Sequence, residues 1–452
     1  MKQIKYHLIG IGGEGMSPIA EILHRQGHII SGSDTTDKPI LKYLSSLGIK
    51  VFIGQKEENI TDQDVIIYTT AIQGDNPEFK KAKETDKILI SRPVMLGKLL
   101  DQYKNRITVS GVHGKTTTTT LIDKILSMGG VDNTSLIGSR VAELGGNLRL
   151  GHGDTIVTEA CEAFKSFLNL KPSIAVLTNI DADHLDNYGT IENIEATFKD
   201  FAEKNVDSEG VIIYNIDDER LQRVVKDTGR KLLSYGLSPK ADFFAKHIDI
   251  EGGFITYDLY INQKLITNIK LRALGTHNVY NSLAAVACAS LFDIPLDTIK
   301  ACFANFNMPA RRFNILYNKE VIVVDDYAHH PTEIKSTLTA AKTHFPNHRM
   351  MAVFQPHLYS RTQTHYKAFA KALEIADEIV VTDIYAAREL PIEGVTSHII
   401  CDEIKNKKIT FKKMPAICDY LLKEKKEGDI IIFLGAGNID SVAKKLVSKL
   451  EN

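Results

Sequence analysis

The sequence has almost no net charge and no long apolar run. Its 452 residues carry 55 Lys plus Arg against 56 Asp plus Glu, which gives a formal charge of −1. This balance argues against a nucleic-acid binder that works by broad neutralisation of phosphates. A transmembrane helix needs about 18 or more consecutive apolar residues, and the nearest candidate, Ser282 to Phe292, is shorter. We therefore predict no membrane span and no nucleic-acid partner.

Cysteines are few and scattered. The sequence has five, Cys161, Cys288, Cys302, Cys401 and Cys418, and no two of them form a C-x-x-C pair. Their spacing matches neither a zinc knuckle nor a disulfide framework. No charged-then-apolar leader with a small-residue cleavage site is visible at the N-terminus. These absences predict a cytoplasmic protein whose cysteines are reduced and buried.

Strand-length apolar runs alternate with helix-length periodic segments along the whole chain. This pattern is typical of parallel sheets with crossover helices, so the predicted fold class is α/β. At roughly 150 residues per domain, the length suggests about three domains. We predict a Rossmann-like N-terminal domain over residues 1–103, a central P-loop ATPase-like domain with a mostly parallel sheet over 104–308, and a Rossmann-like C-terminal domain over 309–452. Within the central domain, Phe243 to Leu271 alternates polar and apolar residues as an antiparallel sheet would.

The first glycine loop, Gly10 to Gly15, satisfies G-x-G-x-x-G between a predicted strand and a helix that begins near Met16. Such glycines allow a diphosphate to approach the helix N-terminus closely. Asp34 ends the second predicted strand, where an acidic residue usually holds a ribose hydroxyl. The loop alone is compatible with NAD or with any other nucleotide diphosphate.

A second loop, Gly111 to Thr118, contains G-x-x-G-K-T, although the usual eight-residue pattern would need glycine where Val109 stands. Its glycine amides could wrap nucleotide phosphates, Lys115 could neutralise the terminal phosphates, and Thr116 could ligate magnesium. Two nucleotide-type loops on two separate sheets argue against a simple dehydrogenase.

Candidate metal ligands follow the next predicted strands. Glu159 closes one strand, and His184 lies beside Asp181 and Asp183 just beyond another. Adjacent parallel strands bring their carboxyl ends to the same edge of a sheet, which is where the second loop lies. Magnesium prefers oxygen ligands such as those of Thr116 and Glu159, whereas a histidine ligand suggests a second cation.

A third polar cluster opens the last domain. Arg311 and Arg312 precede Asp325–Pro331, and two similar segments, Gln355–Arg361 and Asp383–Glu389, follow later strands. Such groups at the ends of buried strands are costly unless they are paired or contact a ligand. We therefore expect three consecutive strand ends to face one ligand site.

Together these segments resemble the Mur ligases of peptidoglycan synthesis. The matching segments span the whole chain and are Gly10–Met16, Ser31–Asp34, Gly111–Thr118, Thr158–Glu162, Thr178–Tyr188, Gly275–Asn281, Arg311–Phe313, Asp325–Glu333, Phe354–Thr362, Thr382–Glu389 and Gly435–Asn438. The segments after Asp325, Phe354 and Asp383 look like the alanine-adding member rather than the later ligases or the tripeptide-recycling ligase.

The resemblance implies ATP-dependent ligation of L-alanine to the lactyl carboxylate of UDP-N-acetylmuramate through an acyl phosphate. ATP, UDP-N-acetylmuramate and L-alanine would be the small-molecule partners, Mg²⁺ or alternatively Mn²⁺ the metal, and a monomer or weak homodimer the oligomeric state. Because the ATP loop and the last polar cluster belong to different domains, catalysis should require domain closure.

The resemblance also implies roles for individual residues of this sequence. The catalytic residues would be Lys115, Glu159, His184, Asp326 and His357, and the metal ligands Thr116, Glu159 and His184. ATP would be held by Gly111, Val112, His113, Gly114, Lys115, Thr116, Thr117, Asn278, Asn281, Arg312 and Asp326. UDP would be held by Gly12, Gly13, Gly15, Met16, Ser33, Asp34, Thr70 and His113, and the amino acid by Tyr327, His330, His357 and Arg361.

Some assignments stay open. Leu358 stands where the family often has arginine, so glycine and L-serine remain alternatives to L-alanine. Tyr327, His329, His330 or His357 could assist deprotonation of the amine. The alternative functions are an NAD-binding dehydrogenase on the N-terminal domain and a nucleotide-binding regulatory protein without catalysis. A folylpolyglutamate synthetase would lack the N-terminal UDP domain.

Overall fold

The structure is a computed structural model that describes residues 3–69, 72, 74–387 and 389–451. In this part of the chain the strands form three sheets in succession, each flanked by helices. The predicted α/β class is confirmed, because most neighbouring strands within the sheets run parallel and helices flank the sheets.

The first sheet has five parallel strands in the order β3-β2-β1-β4-β5. This is the arrangement of a Rossmann-like unit, with the first glycine loop following the central strand. Its strands are β1 Lys5–Ile9, β2 Ile29–Asp34, β3 Lys50–Ile53, β4 Val65–Tyr68 and β5 Ile88–Ser91. Its helices are α1 Ser17–Arg25, α2 Pro39–Ser46, α3 Pro77–Lys83 and α4 Arg92–Leu100, with a 3₁₀ turn at Glu57–Asn59.

The middle sheet has ten strands in the order β15-β14-β13-β12-β11-β10-β6-β9-β7-β8. They are β6 Asn105–Ser110, β7 Asn133–Val141, β8 Gly146–Arg149, β9 Thr155–Glu159, β10 Ile174–Leu177, β11 Val211–Asn215, β12 Lys231–Gly236, β13 Phe243–Glu251, β14 Phe254–Ile261 and β15 Lys264–Leu271. The last three pair antiparallel with one another, as predicted, and β8 pairs antiparallel with β7.

Helices and short turns surround this sheet. The α-helices are α5 Lys115–Met128, α6 Leu185–Tyr188, α7 Ile191–Asp200, α8 Glu219–Val225, α9 His277–Ala289 and α10 Leu296–Ala304. The 3₁₀ helices are Ala142–Leu144, Ala163–Asn169 and Ser290–Phe292, and Phe201–Asn205 forms a π-helical turn.

The third sheet has six strands in the order β16-β17-β21-β18-β19-β20, with only β16 antiparallel to its neighbour. Its strands are β16 Asn314–Asn318, β17 Ile322–Asp326, β18 Met350–Phe354, β19 Glu378–Val381, β20 Lys408–Phe411 and β21 Ile430–Leu434. Its helices are α11 Pro331–His344, α12 Tyr359–Leu373, α13 His398–Cys401, α14 Met414–Glu424 and α15 Asp440–Leu450.

The core lies on both faces of these sheets. Strands β10 and β21 are buried along their entire length. Parallel strands covered by helices on both faces must be apolar throughout, which explains why they read as continuous apolar runs. Polar side chains are consequently displaced to the strand ends. None of the helices in the described residues combines the length and apolar character needed to cross a membrane, and all five cysteines are free.

Helix α4 of the first unit packs on the 3₁₀ helix Ala163–Asn169 of the second. Their apolar side chains, Leu99 and Phe167 among them, belong to one buried cluster. Gly97 is the point of close approach, because a Cβ there would overlap the carbonyl oxygen of Asn169. The orientation of the first unit therefore depends on the absence of a side chain at this position.

We expect Gly97→Ala to destabilise the protein by about 1–3 kcal/mol, the usual effect of overpacking. Urea unfolding followed by circular dichroism measures this as a lower transition midpoint. Gly146→Ala is the matched control, because a Cβ at Gly146 meets no atom within 4 Å. Equal midpoints for the two variants would contradict the proposed close packing.

Candidate active site

The second glycine loop connects β6 to α5 at the carboxyl edge of the middle sheet. Gly111 and Gly114 have φ angles of 132° and 85°, which L-residues with a side chain rarely adopt. A Cβ on Gly114 would also lie only 2.5 Å from Oδ1 of Asn281. A Cβ on Gly111 would overlap Oγ1 of Thr178. Glycine is thus required at both positions by conformation and by space.

The end of β10 holds this loop in place. The backbone N–H of His113 donates to Oδ1 of Asn179 at 2.9 Å. The Thr178 hydroxyl and the Asn179 side-chain amide both donate to the His113 carbonyl, at 2.7 and 2.9 Å. These bonds fix the loop in a shape suited to an anionic ligand.

Lys115, the first residue of α5, pairs with Glu162. Its Nζ lies 2.9 Å from Oε2 of Glu162 and also donates to the carbonyl of Val112 at 3.2 Å. Burial alone would lower the pKa of Lys115, but the charge and hydrogen bond of Glu162, together with the nearby Cys161 and Glu159, outweigh burial and raise it. The ammonium is therefore charged, and phosphate oxygens would compete with Glu162 for it.

Glu162 was not among the predicted site residues. Two features of the sequence could have indicated Glu162. It lies three residues after Glu159, and it belongs to Thr158–Glu162, one of the segments that resemble the family.

The predicted metal ligands lie at the ends of neighbouring strands. Glu159 ends β9 and accepts a hydrogen bond from the backbone N–H of Gly138 at 2.6 Å. His184 precedes α6 with a φ of 54°, and its Nε2 is 3.9 Å from Oε1 of Glu162. Its Nδ1 is buried and has no hydrogen-bond partner in the described part of the chain.

These groups suit a divalent cation. Glu159 offers carboxylate oxygens, Thr116 a hydroxyl and His184 an imidazole nitrogen that needs a partner. The strands that carry them are adjacent in the order β10-β6-β9.

The C-terminal unit faces this edge across a cavity of about 330 Å³. Nη2 of Arg312 donates to Oγ1 of Thr116 at 3.5 Å. Asp326 ends β17 and accepts from the backbone N–H groups of Phe313 and Ala328 at 2.8 and 2.7 Å. Burial raises the pKa of Asp326 to about 6, although Arg312 opposes the shift.

Several residues predicted to bind ATP share this cavity. Its walls include His113, Gly114, Thr117, Asn278, Asn281, Arg312 and Asp326. The side-chain amide of Asn281 donates to Oδ1 of Asn278 at 2.9 Å, and the Thr118 hydroxyl donates to Oδ1 of Asn281 at 3.2 Å. The two asparagines therefore also support the glycine loop from behind.

His113 links the second and third units. Its Nε2 lies 2.9 Å from Oδ2 of Asp181, and its Nδ1 lies 3.2 Å from Oε1 of Glu333. Burial lowers the pKa of His113, but the two carboxylates outweigh burial and raise it to about 9. His113 was also predicted to bind UDP, together with the first glycine loop. In the described residues, its hydrogen bonds are with Asn179, Asp181 and Glu333 and not with that loop.

A second ion pair crosses the same boundary. Arg361 is buried, and its Nε and Nη2 donate to Oδ1 of Asp183 at 3.0 and 2.8 Å. Burial opposes ionisation of Asp183, but the Arg361 guanidinium holds the pKa of that carboxyl below its usual range. Arg361 was predicted to bind the amino acid. In this arrangement its guanidinium instead pairs with Asp183.

The other predicted amino-acid ligands lie along the same boundary as Arg361. Nδ1 of His357 lies 3.2 Å from Nη1 of Arg361, and Nε2 of His330 lies 3.3 Å from the Ala182 carbonyl oxygen. Arg312 lies over the ring of Tyr327 with 5.4 Å between its Cζ and the ring centre. All four predicted ligands therefore lie near the boundary between the second and third units.

Leu358 occupies a constrained position next to these residues. Its φ is 71°, and its side chain is buried. The side chain therefore packs within the protein, at the position where the resemblance led us to expect arginine.

The first glycine loop is held by Asp34. The backbone N–H of Gly12 donates to Oδ2 of Asp34 at 3.1 Å, and Nζ of Lys38 lies 2.9 Å from Oδ1. Gly13 accepts a hydrogen bond from the Met16 N–H at 2.9 Å, and Met16 is buried. Ser33 is fully buried and donates to Glu78. Thr70, also predicted to hold UDP, lies outside the described residues.

Glu14, a carboxylate within that loop, contacts the middle unit. The Asn147 side-chain amide donates to the Glu14 carbonyl at 2.7 Å and to its Oε2 at 3.2 Å. This contact gives the carboxylate a partner outside the loop.

Comparison with known proteins assigns the whole chain. Family models match in succession: the Mur ligase family catalytic domain at residues 5–104, the Mur ligase middle domain at 109–289, and the Mur ligase glutamate ligase domain at 311–437. A UDP-N-acetylmuramate--L-alanine ligase of Syntrophus aciditrophicus is 43% identical, with 98% of this chain and 93% of that protein covered. A ligase of the same name from a Sulfurihydrogenibium species is 41% identical, with 98% of each covered.

A solved structure has the same architecture. The crystal structure of UDP-N-acetylmuramate-alanine ligase from Thermotoga maritima matches with a TM-score of 0.85 and 28% identity, and 99% of each chain is covered.

We expect the His113 contact to make stability depend on pH. Because the folded-state pKa of about 9 exceeds the ordinary 6.5, the stabilisation is fully present below pH 6.5 and disappears as the pH rises through about 9. Thermal unfolding of wild-type protein and His113→Gln between pH 6 and 10 measures this. The wild-type advantage should shrink as pH increases, and a difference that stays constant would show that the imidazolium charge plays no part.

Proposed function

The chain belongs to the Mur ligase family, and we propose that it joins L-alanine to the lactyl carboxylate of UDP-N-acetylmuramate while ATP is converted to ADP and phosphate. Full-length relatives at 41–43% identity carry this activity in their names. The match to the Mur ligase family extends along the whole chain. The dehydrogenase alternative rested on the first glycine loop alone and has no further support.

One geometric observation carries the proposal. Lys115 on the middle unit begins the helix after the second glycine loop, and Arg312 on the C-terminal unit reaches the next residue, Thr116, across the boundary. Two cations that converge from different domains on a glycine loop suit a triphosphate held between them. The cavity that Gly114, Thr117 and Arg312 help to line has room for a nucleotide.

Amide formation needs an activated acid. A carboxylate resists attack by an amine, so ATP must first convert it to an acyl phosphate. Positioning and charge neutralisation dominate such phosphoryl transfer. We assign neutralisation to Lys115, whose ammonium would exchange Glu162 for phosphate oxygens. Thr116, Glu159 and His184 would hold Mg²⁺, which supplies further positive charge at the phosphates when bound.

The amine must attack as the free base. Burial lowers the pKa of His329 to about 4, and burial also lowers the pKa of His330. Both imidazoles are therefore neutral near pH 7, but their lowered pKa values also make them weak bases toward an ammonium. His357 and Tyr327 lie in the same region and remain candidates for this role.

Closure of the domains would protect the intermediate. The ion pair of Arg361 with Asp183 and the contacts of His113 with Asp181 and Glu333 bring the C-terminal unit against the catalytic edge. Closure of this kind excludes water from an acyl phosphate. We place the reaction in the cytoplasm, where ATP is available and five free thiols stay reduced.

The substrate assignment is tested by a panel of amino acids. Phosphate release is followed with ATP and UDP-N-acetylmuramate plus L-alanine, glycine or L-serine. We expect the highest kcat/KM with L-alanine and no release when the sugar nucleotide is omitted. A preference for glycine or L-serine would replace the amino-acid assignment, and release without the sugar nucleotide would contradict the proposed reaction.

The assignment of Lys115 is tested by Lys115→Ala. Loss of one preorganised cation at the transferring phosphate should reduce kcat by about a hundredfold to a thousandfold. Lys199→Ala is the matched control, since Lys199 is a half-exposed helix residue paired with Glu203 at 3.6 Å. Unchanged turnover in the Lys115 variant would refute the site.

A further inference from the structure

Three side chains able to bind a metal meet where the middle and C-terminal units face each other. They are His113 in the second glycine loop, Asp181 beyond β10 and His330 at the start of α11. One ligand atom of each lies within 4.8 Å of the others. In the described part of the chain, these three form the group of histidine, cysteine and acidic residues that converges closely enough for a metal ion. None of the three belongs to the predicted magnesium ligands.

The spacing of these atoms is close to what a zinc ion needs. Oδ2 of Asp181 lies 2.9 Å from Nε2 of His113 and 3.7 Å from Nδ1 of His330. Nitrogen and oxygen ligands of tetrahedral Zn²⁺, at the usual bond lengths, are separated from one another by about 3.3 Å. The two measured distances bracket this value, so Asp181 lies between the two imidazoles as a common neighbour.

The hydrogen bonds of His330 leave a lone pair directed toward Asp181. Nε2 of His330 lies 3.3 Å from the Ala182 carbonyl oxygen and must donate there, because a carbonyl only accepts. Burial lowers the pKa of His330, so the ring is neutral near pH 7 and its Nδ1 carries no proton. Nδ1 accepts from the backbone N–H of Thr332 at 3.3 Å. Thr332 is exposed in the first turn of α11, so water can replace that bond.

His113 has the kind of partner that metal-binding histidines usually have. Its Nδ1 lies 3.2 Å from Oε1 of Glu333, which orients the ring so that Nε2 faces Asp181. A ligating imidazole typically donates its other N–H to a carboxylate in this way. The Asp181 carboxylate is held in turn by the Thr332 hydroxyl at 2.7 Å and the Ala182 N–H at 2.8 Å. Each ligand atom is therefore oriented by a further hydrogen bond.

A proton already joins two of these groups. Because the pKa of His113 is about 9, the ring is protonated at pH 7 and its Nε2 donates to Asp181. A divalent cation that replaced this proton would gain His330 as a third ligand, and the proton would pass to solvent. Two imidazoles and one carboxylate suit Zn²⁺ and similar transition metals, whereas Mg²⁺ prefers oxygen ligands alone.

We propose that His113, Asp181 and His330 form a further metal site, which binds Zn²⁺ or a similar divalent transition metal and joins the middle unit to the C-terminal unit. The Asp181 side chain is 33% exposed and lines the large cavity, so an ion can enter and water can complete its coordination. Because the ligands come from two units, the ion would favour the arrangement in which these units are in contact. The site requires none of the proposed substrates.

Zinc binding is measured by calorimetry on the full-length protein, in excess Mg²⁺ and without nucleotide. We expect His330→Asn and Asp181→Asn each to weaken the tightest Zn²⁺ site by more than about a hundredfold, because each removes a ligand. Asparagine at position 330 still caps α11. Glu333→Gln keeps all three ligands and alters only the partner of His113, so a loss of about tenfold to a hundredfold is expected. Circular dichroism checks that every variant is folded.

Two control variants test where the ion binds. His247→Gln is the matched control, because Nδ1 of His247 lies 2.8 Å from Oδ2 of Asp258 in an exposed histidine–aspartate pair. Its Zn²⁺ affinity should equal that of wild type. His184→Gln removes the imidazole of the predicted magnesium site and should also leave the tightest Zn²⁺ site unchanged.

The possible results separate clearly. Wild-type protein that binds no Zn²⁺ overturns the inference, as do unchanged affinities in His330→Asn and Asp181→Asn. A loss in His184→Gln without one in His330→Asn would assign the ion to the predicted magnesium ligands, and a loss in His247→Gln would assign it to the surface pair. Either result overturns the inference. A loss in Asp181→Asn that is absent from His330→Asn would contradict the joining of two units.

The test does not depend on one variant. If His330→Asn fails to fold, Asp181→Asn and Glu333→Gln decide the outcome, since the inference requires a larger loss in the first than in the second. Because no substrate is present, each of these results leaves the proposed ligation standing.

Discussion

The site depends on the parallel arrangement of the strands. Because the central strands of the described sheets are buried on both faces, polar side chains concentrate where these strands end. In a parallel sheet these ends meet at one edge, so that groups of like charge are brought close together. The chain compensates by pairing them: Lys115 with Glu162, Arg361 with Asp183, and His113 with two carboxylates. These paired charges also provide the ammonium, guanidinium and carboxylate groups from which we propose that the site is built.

These pairs differ from ordinary surface ion pairs. Arg361 and Asp183 are both nearly buried and belong to different units. Removing two charges from water costs desolvation free energy. Their mutual attraction recovers this cost only if the geometry of the pair is good. Separation of the units would let water solvate both groups again, so the pair opposes opening less than its short distances suggest. An arrangement of this kind favours a defined closed geometry while leaving the domains free to part when substrates exchange.

Much of the architecture could be predicted from the sequence, and the exceptions have physical causes. Buried strands such as β10 and β21 were found because their residues are uniformly apolar. Strands β7, β8, β12, β16 and β20 were not predicted. Strands β8, β16 and β20 lie at sheet edges, where strands are not uniformly apolar, β7 carries several polar residues, and β12 begins with exposed residues. The two loops and their glycines follow from local spacing. Glu162 and the contacts of His113 arise from tertiary pairing, which spacing cannot reveal.

The left-handed backbone of His184 has a consequence for how far this protein can be stabilised. A non-glycine residue with positive φ costs about 1 kcal/mol or more, and glycine at that position would remove the strain. At position 184, however, glycine would also remove the imidazole. Selection for greater thermal tolerance therefore cannot relax this turn in that way without loss of the side chain that we propose as a metal ligand. Improvements in robustness have to arise elsewhere in the chain, and the turn remains a permanent weak point of the scaffold.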